Sequence, residues 1–255
     1  MQARHLFLLP LAACFLACTD TRTGSDTQAE ASWGQASLSV ENPIAPGDTL
    51  CYQIDIKLDT LSGDGKLARG LAVVLRDSVL GAGRYATVQE AMKACADSIE
   101  TEWKTELAEM YDPESDFNET LQYYYDIEGA NVENAPDSIL SYQTTIDCYL
   151  GGAHGSYVVM YYNFDKASGK LLNIRDVVPA DKEQEVLEAM KKQLVEDWGA
   201  EDWADLQEQT GIGALGDLYL TNNFLLSKDS IVFLFNQYEI APYAAGLIGV
   251  TVRKP

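Results

Sequence analysis

The chain has 255 residues, 47% of them hydrophobic, and its 39 acidic side chains against 18 basic ones give a formal net charge of -21. That balance disfavours nucleic acid and anionic phospholipid as partners, because both need neutralising cations, and it suits either a basic partner or plain solubility. The acids are spread along the chain, and the apolar content is enough for one large core or two smaller ones.

The first residues, "MQARHLFLLPLAACFLACTD", place Arg4 and His5 ahead of an apolar run over residues 6–17 that ends on small residues and a cysteine. This is the pattern of a secretory leader with a cleavage position, too short to span a bilayer as a mature helix. Cleavage before Cys18 leaves only polar residues behind it, whereas cleavage before Cys14, which has the better local pattern "LAAC", leaves Phe15, Leu16 and Ala17 at the mature end. Cys18 is therefore the expected lipidation site and Cys14 the alternative. Either choice predicts a bacterial envelope lipoprotein, periplasmic or surface-exposed, held to the membrane through N-terminal acyl chains alone. An ordinary leader followed by an unmodified cysteine is the remaining reading. Residues 19–49 are polar or small and predict a flexible tether, with Trp33 as the candidate exception.

The folded body begins with "CYQIDIKL", whose alternation puts Tyr52, Ile54, Ile56 and Leu58 on one face of a strand. Residues 66–80 read as helix despite Val73 and Val74. A second helix over residues 87–110 opens on Thr87 with Glu90 three residues on, as in a capping box. Val88, Met92, Cys95, Ile99, Trp103 and Leu107 draw its buried stripe. Three strands follow, "LQYYYDIEG", "ILSYQTTIDCYL" and "GSYVVMYYNF", as an antiparallel meander in which "GGAHG" is a turn and "DKASGKLL" turns the chain back. A helix over residues 181–199 has Val186, Leu187, Met190, Leu194 and Trp198 on its apolar face and Gly199 as its stop. A short helical turn and a Gly-rich loop lead to three more strands, "YLTNNFLLS", "SIVFLFNQY" and "GLIGVTV". The order predicts an α+β protein of antiparallel sheets with packed helices in two lobes, residues 50–150 and 151–255.

The chemistry-bearing residues are few. His5 leaves with the leader, so His154 stands alone, with Asp147, Asp165 and Asp176 as the candidate carboxylates to orient it. A turn histidine bonded to backbone is the simpler reading. No G-x-S-x-G, H-E-x-x-H or phosphate-cradling loop occurs, and Cys51, Cys95 and Cys148 lack metal-ligand spacing and read as small buried hydrophobes. The acidic run "YDPESD" over residues 111–116 lacks the central glycine and closing Glu of a calcium loop. No metal and no cofactor is expected. The segment "NQYEIAPYAAG" over residues 236–246 sets Tyr238, Glu239 and Tyr243 on an irregular bend, which suits a recognition surface.

Taken in order, "GGAHG" at 151–155, "YYNFDKASGKLLNIRDVV" at 161–178 and "FNQYEIAPYAAG" at 235–246 resemble the signatures of the envelope domain of unknown function 3298. Residues 51–150 resemble its companion, domain of unknown function 4163. The family is similar to the sensing part of the lysozyme-responsive anti-sigma factor RsiV and to the non-catalytic part of the peptidoglycan deacetylase PdaC. The resemblance maps His154 and residues 238–243 onto signature positions with no catalytic role. It implies a non-enzymatic envelope recognition module for a cationic secreted protein such as lysozyme or for a cell-wall glycan. The candidate ligand-binding residues are His154, Tyr238, Glu239 and Tyr243. An envelope hydrolase using acidic residues with His154, and a purely structural lipoprotein, are the alternatives.

Overall fold

The computed structural model describes residues 31–43, 51–110, 112, 123–133, 135–151 and 153–255. The predicted leader with Cys14 and Cys18, most of the "YDPESD" run and the side chain of Leu107 lie outside them. Strand β1 (Ser32–Pro43) runs antiparallel to β2 (Cys51–Ser62), which is followed by helix α1 (Lys66–Val74), a π-helical turn (Leu75–Val79) and helix α2 (Val88–Met110). Strands β3 (Tyr123–Val132), β4 (Ile139–Tyr149) and β5 (Ser156–Asp165) complete a five-stranded sheet in the order β1-β2-β3-β4-β5. The capping box at the start of α2 is present: the Glu90 N–H donates to Thr87 Oγ1 at 3.2 Å and the Thr87 N–H to Glu90 Oε2 at 3.1 Å.

Pairing within the sheet follows the expected meander from β3 to β5, but β2 and β3 are parallel. Parallel neighbours need a long crossover, and the segment holding α1 and α2 supplies it. These helices cover the sheet face that carries Tyr52, Ile54, Ile56 and Leu58, all buried in the first core. Trp103 of α2 sits between two tyrosines there, edge-on to Tyr52 with centroids 5.4 Å apart and tilted against Tyr123 at 5.6 Å. Beyond β5 the chain turns at Gly169, whose φ of +70 favours glycine and where a Cβ would stand 2.4 Å from the Lys66 carbonyl carbon, so the turn can seat directly on the first turn of α1.

The second lobe contains α3 (Glu183–Trp198), α4 (Trp203–Thr210) and a three-stranded antiparallel sheet of β6 (Phe224–Leu226), β7 (Ser230–Phe235) and β8 (Ile248–Arg253). Helix α3 buries Val186, Met190 and Leu194 and ends on Gly199 at φ +66. Trp198, expected on the apolar face, is exposed in the last turn before that stop. The architecture is α+β with helices packed on sheets.

Two further sequence expectations need correction. Part of the predicted tether is strand: β1 joins the first sheet because Ala36, Leu38 and Val40 alternate onto the helix-covered face, and Trp33 stacks on Tyr142 at 6.5 Å. The division between lobes also falls later than the 150/151 turn. β5 is laddered to β4 over ten residues, the first core extends to Phe164 and the second begins at Ile174.

The lobes meet along the outer edge of β5, through side-chain amides rather than another strand. The N–H groups of Tyr157, Val159 and Tyr161 donate to Gln237 Oε1 (3.4 Å), Asn236 Oδ1 (2.8 Å) and Asn223 Oδ1 (2.9 Å). The Val159 carbonyl accepts from Asn223 Nδ2 (2.8 Å) and Asn236 Nδ2 (3.1 Å). Asn163 completes the seam, accepting from Ser141 Oγ at 2.7 Å and donating to the Phe224 carbonyl at 2.6 Å. Asn236→Ala is expected to cost about 1–3 kcal/mol, because it orphans the buried Val159 N–H. Gln237→Ala, which loses only a long bond to exposed Tyr157, is expected to cost less than about 0.5 kcal/mol. Urea unfolding of both variants checks the contrast.

Candidate functional site

The β4–β5 turn carries His154. It enters at Gly151, where φ is +82 and a Cβ would stand 3.1 Å from Tyr123 Oη, so glycine is required for backbone conformation and space. The exposed His154 ring stacks on Tyr243, with centroids 3.8 Å apart and planes at 19°. His154 Nδ1 lies 3.0 Å from the Gly155 carbonyl, which can only accept, so Nδ1 carries the proton there. In the neutral ring Nε2 is then an acceptor facing the Tyr238 hydroxyl at a long 3.4 Å. The Tyr243 hydroxyl donates to the same Gly155 carbonyl at 3.1 Å, and the Tyr238 and Tyr243 rings lie 5.8 Å apart.

The tyrosines are placed by the exit from β7. Asn236 and Gln237 are tied to β5, the Glu239 N–H closes a turn onto the Asn236 carbonyl at 3.1 Å, and Tyr238 between them takes φ +68. It is the one non-glycine residue with positive φ among those described. A bulky residue held there costs on the order of 1–2 kcal/mol. Tyr238 is 55% exposed, so little burial offsets that strain. A short 3-10 turn (Tyr243–Ala245) after Pro242 then presents Tyr243. Three of the four candidate residues, His154, Tyr238 and Tyr243, thus form one aromatic ledge. Glu239 is separate: one of its carboxylate oxygens is buried without a hydrogen-bond partner, and its charge adds to burial in raising the Tyr219 hydroxyl pKa.

The histidine is not set up with any of the carboxylates considered from sequence. Asp147 accepts from the Tyr124 hydroxyl at 3.0 Å. Asp165 accepts from the Ser168 N–H at 2.7 Å, and Asp176 pairs with Lys170 at 2.5 Å and accepts from the Asn173 N–H at 2.9 Å. Among the described residues no group of three His, Cys, Asp or Glu side chains is arranged to hold a metal ion. Cys148 is buried and burial pushes the Cys95 thiol up to about 11, as expected of cysteines that act as core side chains.

A feature that sequence spacing did not reveal lies on the open face of the first sheet. Strand register sets Asp55 opposite Asp126, Asp126 opposite Asp147, and Asp147 opposite Tyr157. Adjacent strands are about 4.8 Å apart, so three carboxylates cross three neighbouring strands in one row. All three are half-buried. Burial first, then the charges of Asp55, Asp147 and Glu128, raise the Asp126 pKa above its ordinary 3.8. A hollow of about 370 Å³ opens over Ser39, Asp55, Asp126 and Glu128, and one of about 430 Å³ over Asp59, Glu128, Gln143 and Thr145. The row ends at Tyr157, whose N–H is bonded to Gln237, the residue before Tyr238. Acidic row and aromatic ledge are therefore neighbours.

Residues 175–254, which hold α3, α4 and β6 to β8, match a family model described as "Protein of unknown function (DUF3298)". The fold is that of a crystallised DUF3298 family member from Bacteroides fragilis NCTC 9343, at TM-score 0.76 and 24% identity over 90% of this chain and 92% of that one. A DUF3298 family protein from Pseudomonas aeruginosa PAO1 is also similar, at TM-score 0.57 and 15% identity over 89% of this chain and 92% of its own. No curated protein matches the sequence. The family match begins beyond β5, so it takes in the Tyr238–Tyr243 bend but not the His154 turn.

The acidic row makes a testable demand on stability. Because the folded state raises the Asp126 pKa, its ionisation opposes folding: the penalty is absent below the ordinary value of 3.8 and complete above the raised one. Asp126→Asn is expected to stabilise the protein by roughly 0.5–1 kcal/mol near pH 7, in line with like charges directly opposite in a sheet. The gain should vanish near pH 3. Urea unfolding at the two pH values checks this, and an equal effect at both would rule out charge repulsion as the cause.

Proposed function

We propose that this chain is a non-enzymatic recognition module of the bacterial cell envelope, anchored by acyl chains on Cys18 and binding through the aromatic ledge and the carboxylate row beside it. The observation that carries the reading is their continuity. The row Asp55, Asp126 and Asp147 runs into Tyr157, and the backbone of Tyr157 is tied to the residue preceding Tyr238. Such a surface suits a partner that offers ammonium or guanidinium groups beside a flat apolar face: carboxylates attract the cations and exposed rings receive the apolar part. A basic secreted protein such as lysozyme has this chemistry, as does a cell-wall glycan bearing free amino groups. The resemblance of the motifs at 151–155, 161–178 and 235–246 to the sensing part of RsiV and to the non-catalytic part of PdaC points to the same two classes.

Charge complementarity at the row would act chiefly on the rate of encounter and weaken with salt, while the ledge would hold the complex. The hydrolase alternative requires a carboxylate to orient His154, whereas its ring is engaged with the Gly155 carbonyl, Tyr243 and Tyr238. Strain at Tyr238 also fits a binding role, since an exposed tyrosine contributes little to the core in return for its left-handed backbone.

Titration calorimetry of residues 19–255 with a cationic lysozyme and with muropeptides, against a size-matched basic protein, tests the proposal. Saturable binding to one of the first two, absent with the control, is the expected result. Replacing Tyr238 and Tyr243 together by Ala should weaken that binding roughly 10–30-fold while the protein stays folded. Tyr238→Gly should weaken it without loss of stability, because glycine accepts the left-handed backbone. Unchanged affinity in the folded double variant would sink the ledge as the contact surface.

A further inference from the structure

The first sheet has two edges, and the protein treats them differently. The β5 edge is closed by the amides of Asn223, Asn236 and Gln237. At the other edge β1 pairs residue for residue with β2 from Ser32 to Pro43, and no described element pairs with its outer side. β1 is twelve residues long, its register contains no bulge, Glu41 is its only charge and its one proline is the last residue. Short length, lysines, internal prolines and bulges are the usual devices that keep an exposed edge from pairing. β1 has none of them. On its helix-covered side Ala36 is buried but Leu38 and Val40 are only half-covered, and on its open side Gln35, Ser37, Ser39 and Glu41 are all exposed.

We infer that β1 is a self-association edge: two copies of the chain pair antiparallel through β1 about a twofold axis at Leu38, joining two five-stranded sheets into one of ten strands. The strand is complementary to itself in this register. Leu38 meets Leu38 of the second copy, Ala36 meets Val40, Ser37 meets Ser39 and Gln35 meets Glu41. Residues the same distance from the axis share a face, so apolar side chains meet apolar ones and polar meet polar. The single carboxylate meets the Gln35 amide, whose Nε2 gives one proton to Asp59 at 3.3 Å and keeps a second to donate, and no like charges stand opposite each other. Leu38 and Val40 pass from half-covered to covered. The net charge of -21 does not forbid the seam: the closest acids across it, Glu41 of one copy and Asp59 opposite Gln35 on β2 of the other, would be two strand spacings apart, about 10 Å, and the two copies of Asp55 three spacings, about 14 Å, both beyond the ~8 Å screening length at physiological salt. A foreign extended peptide is the other occupant such an edge admits, and the match of the strand to itself favours a second copy.

Residues 19–255 contain both hydrophobic cores, so that chain serves for the test. Sedimentation equilibrium from about 1 to 200 µM is expected to show the mass rising from one chain to two. A variant with Ser37→Lys and Ser39→Lys places lysines directly opposite lysines on an exposed face, and its dissociation constant should rise roughly tenfold or more. Mixed with the partner variant carrying Ser37→Glu and Ser39→Glu, it should return to two-chain species containing one of each. A wild-type protein that remains a single chain throughout the range overturns the inference. So does a lysine variant that associates as tightly as wild type, or a mixture of folded variants that does not associate.

Discussion

The outer edge of β5 sets the constraint on which the two-lobed body depends. An edge strand presents unpaired N–H and C=O groups at alternate residues, and covering them without partners would cost more than the buried apolar surface returns. Here the cover is supplied by side chains: Asn223, Asn236 and Gln237 answer the N–H groups of residues 157, 159 and 161 in turn. Three contacts spaced along one strand fix translation and rotation together, so the second lobe has one seat. The aromatic ledge follows from that seat. His154 comes from the β4–β5 turn and Tyr238 directly after the Asn236–Gln237 clasp, and they meet because the clasp aligns the two lobes.

Two residues depart from the most stable arrangement. Tyr238 holds a left-handed backbone with its ring largely in solvent, and Asp126 lies between two other aspartates on adjacent strands. Each opposes folding by on the order of 1 kcal/mol. Glycine at 238 and asparagine at 126 would relieve them without disturbing either hydrophobic core.

The helices were legible in the sequence because their ends carry local chemistry. Thr87 and Glu90 cap each other, and Gly199 takes the left-handed turn that stops α3. The long alternations of β2, β4 and β5 were equally clear. β1 was missed because its open face is serine and glutamine, which read as tether, while Ala36, Leu38 and Val40 are a weak apolar signal until β2 lies beside them. Period alone places Trp198 on the apolar face, although the helix ends before its ring can be covered. The lobe boundary was placed at a glycine-rich turn, and that turn proved to be a hairpin within one sheet.

The sequence by itself therefore determined what depends on neighbours along the chain: α+β class, helix limits, most strands, the turn around His154 and the bend with its tyrosines. Tertiary structure alone decided what depends on register and docking. Asp55, Asp126 and Asp147 are far apart in sequence, and only parallel pairing of β2 with β3, followed by the antiparallel β3–β4 ladder, sets them in a row. His154 and Tyr243 stack because amides on another lobe hold β5, and Glu239, on the same bend, turns towards Tyr219 instead. Alternation tells which face a residue is on, but not which residue it will meet there, because a strand's pattern repeats every two residues and its partner's position does not.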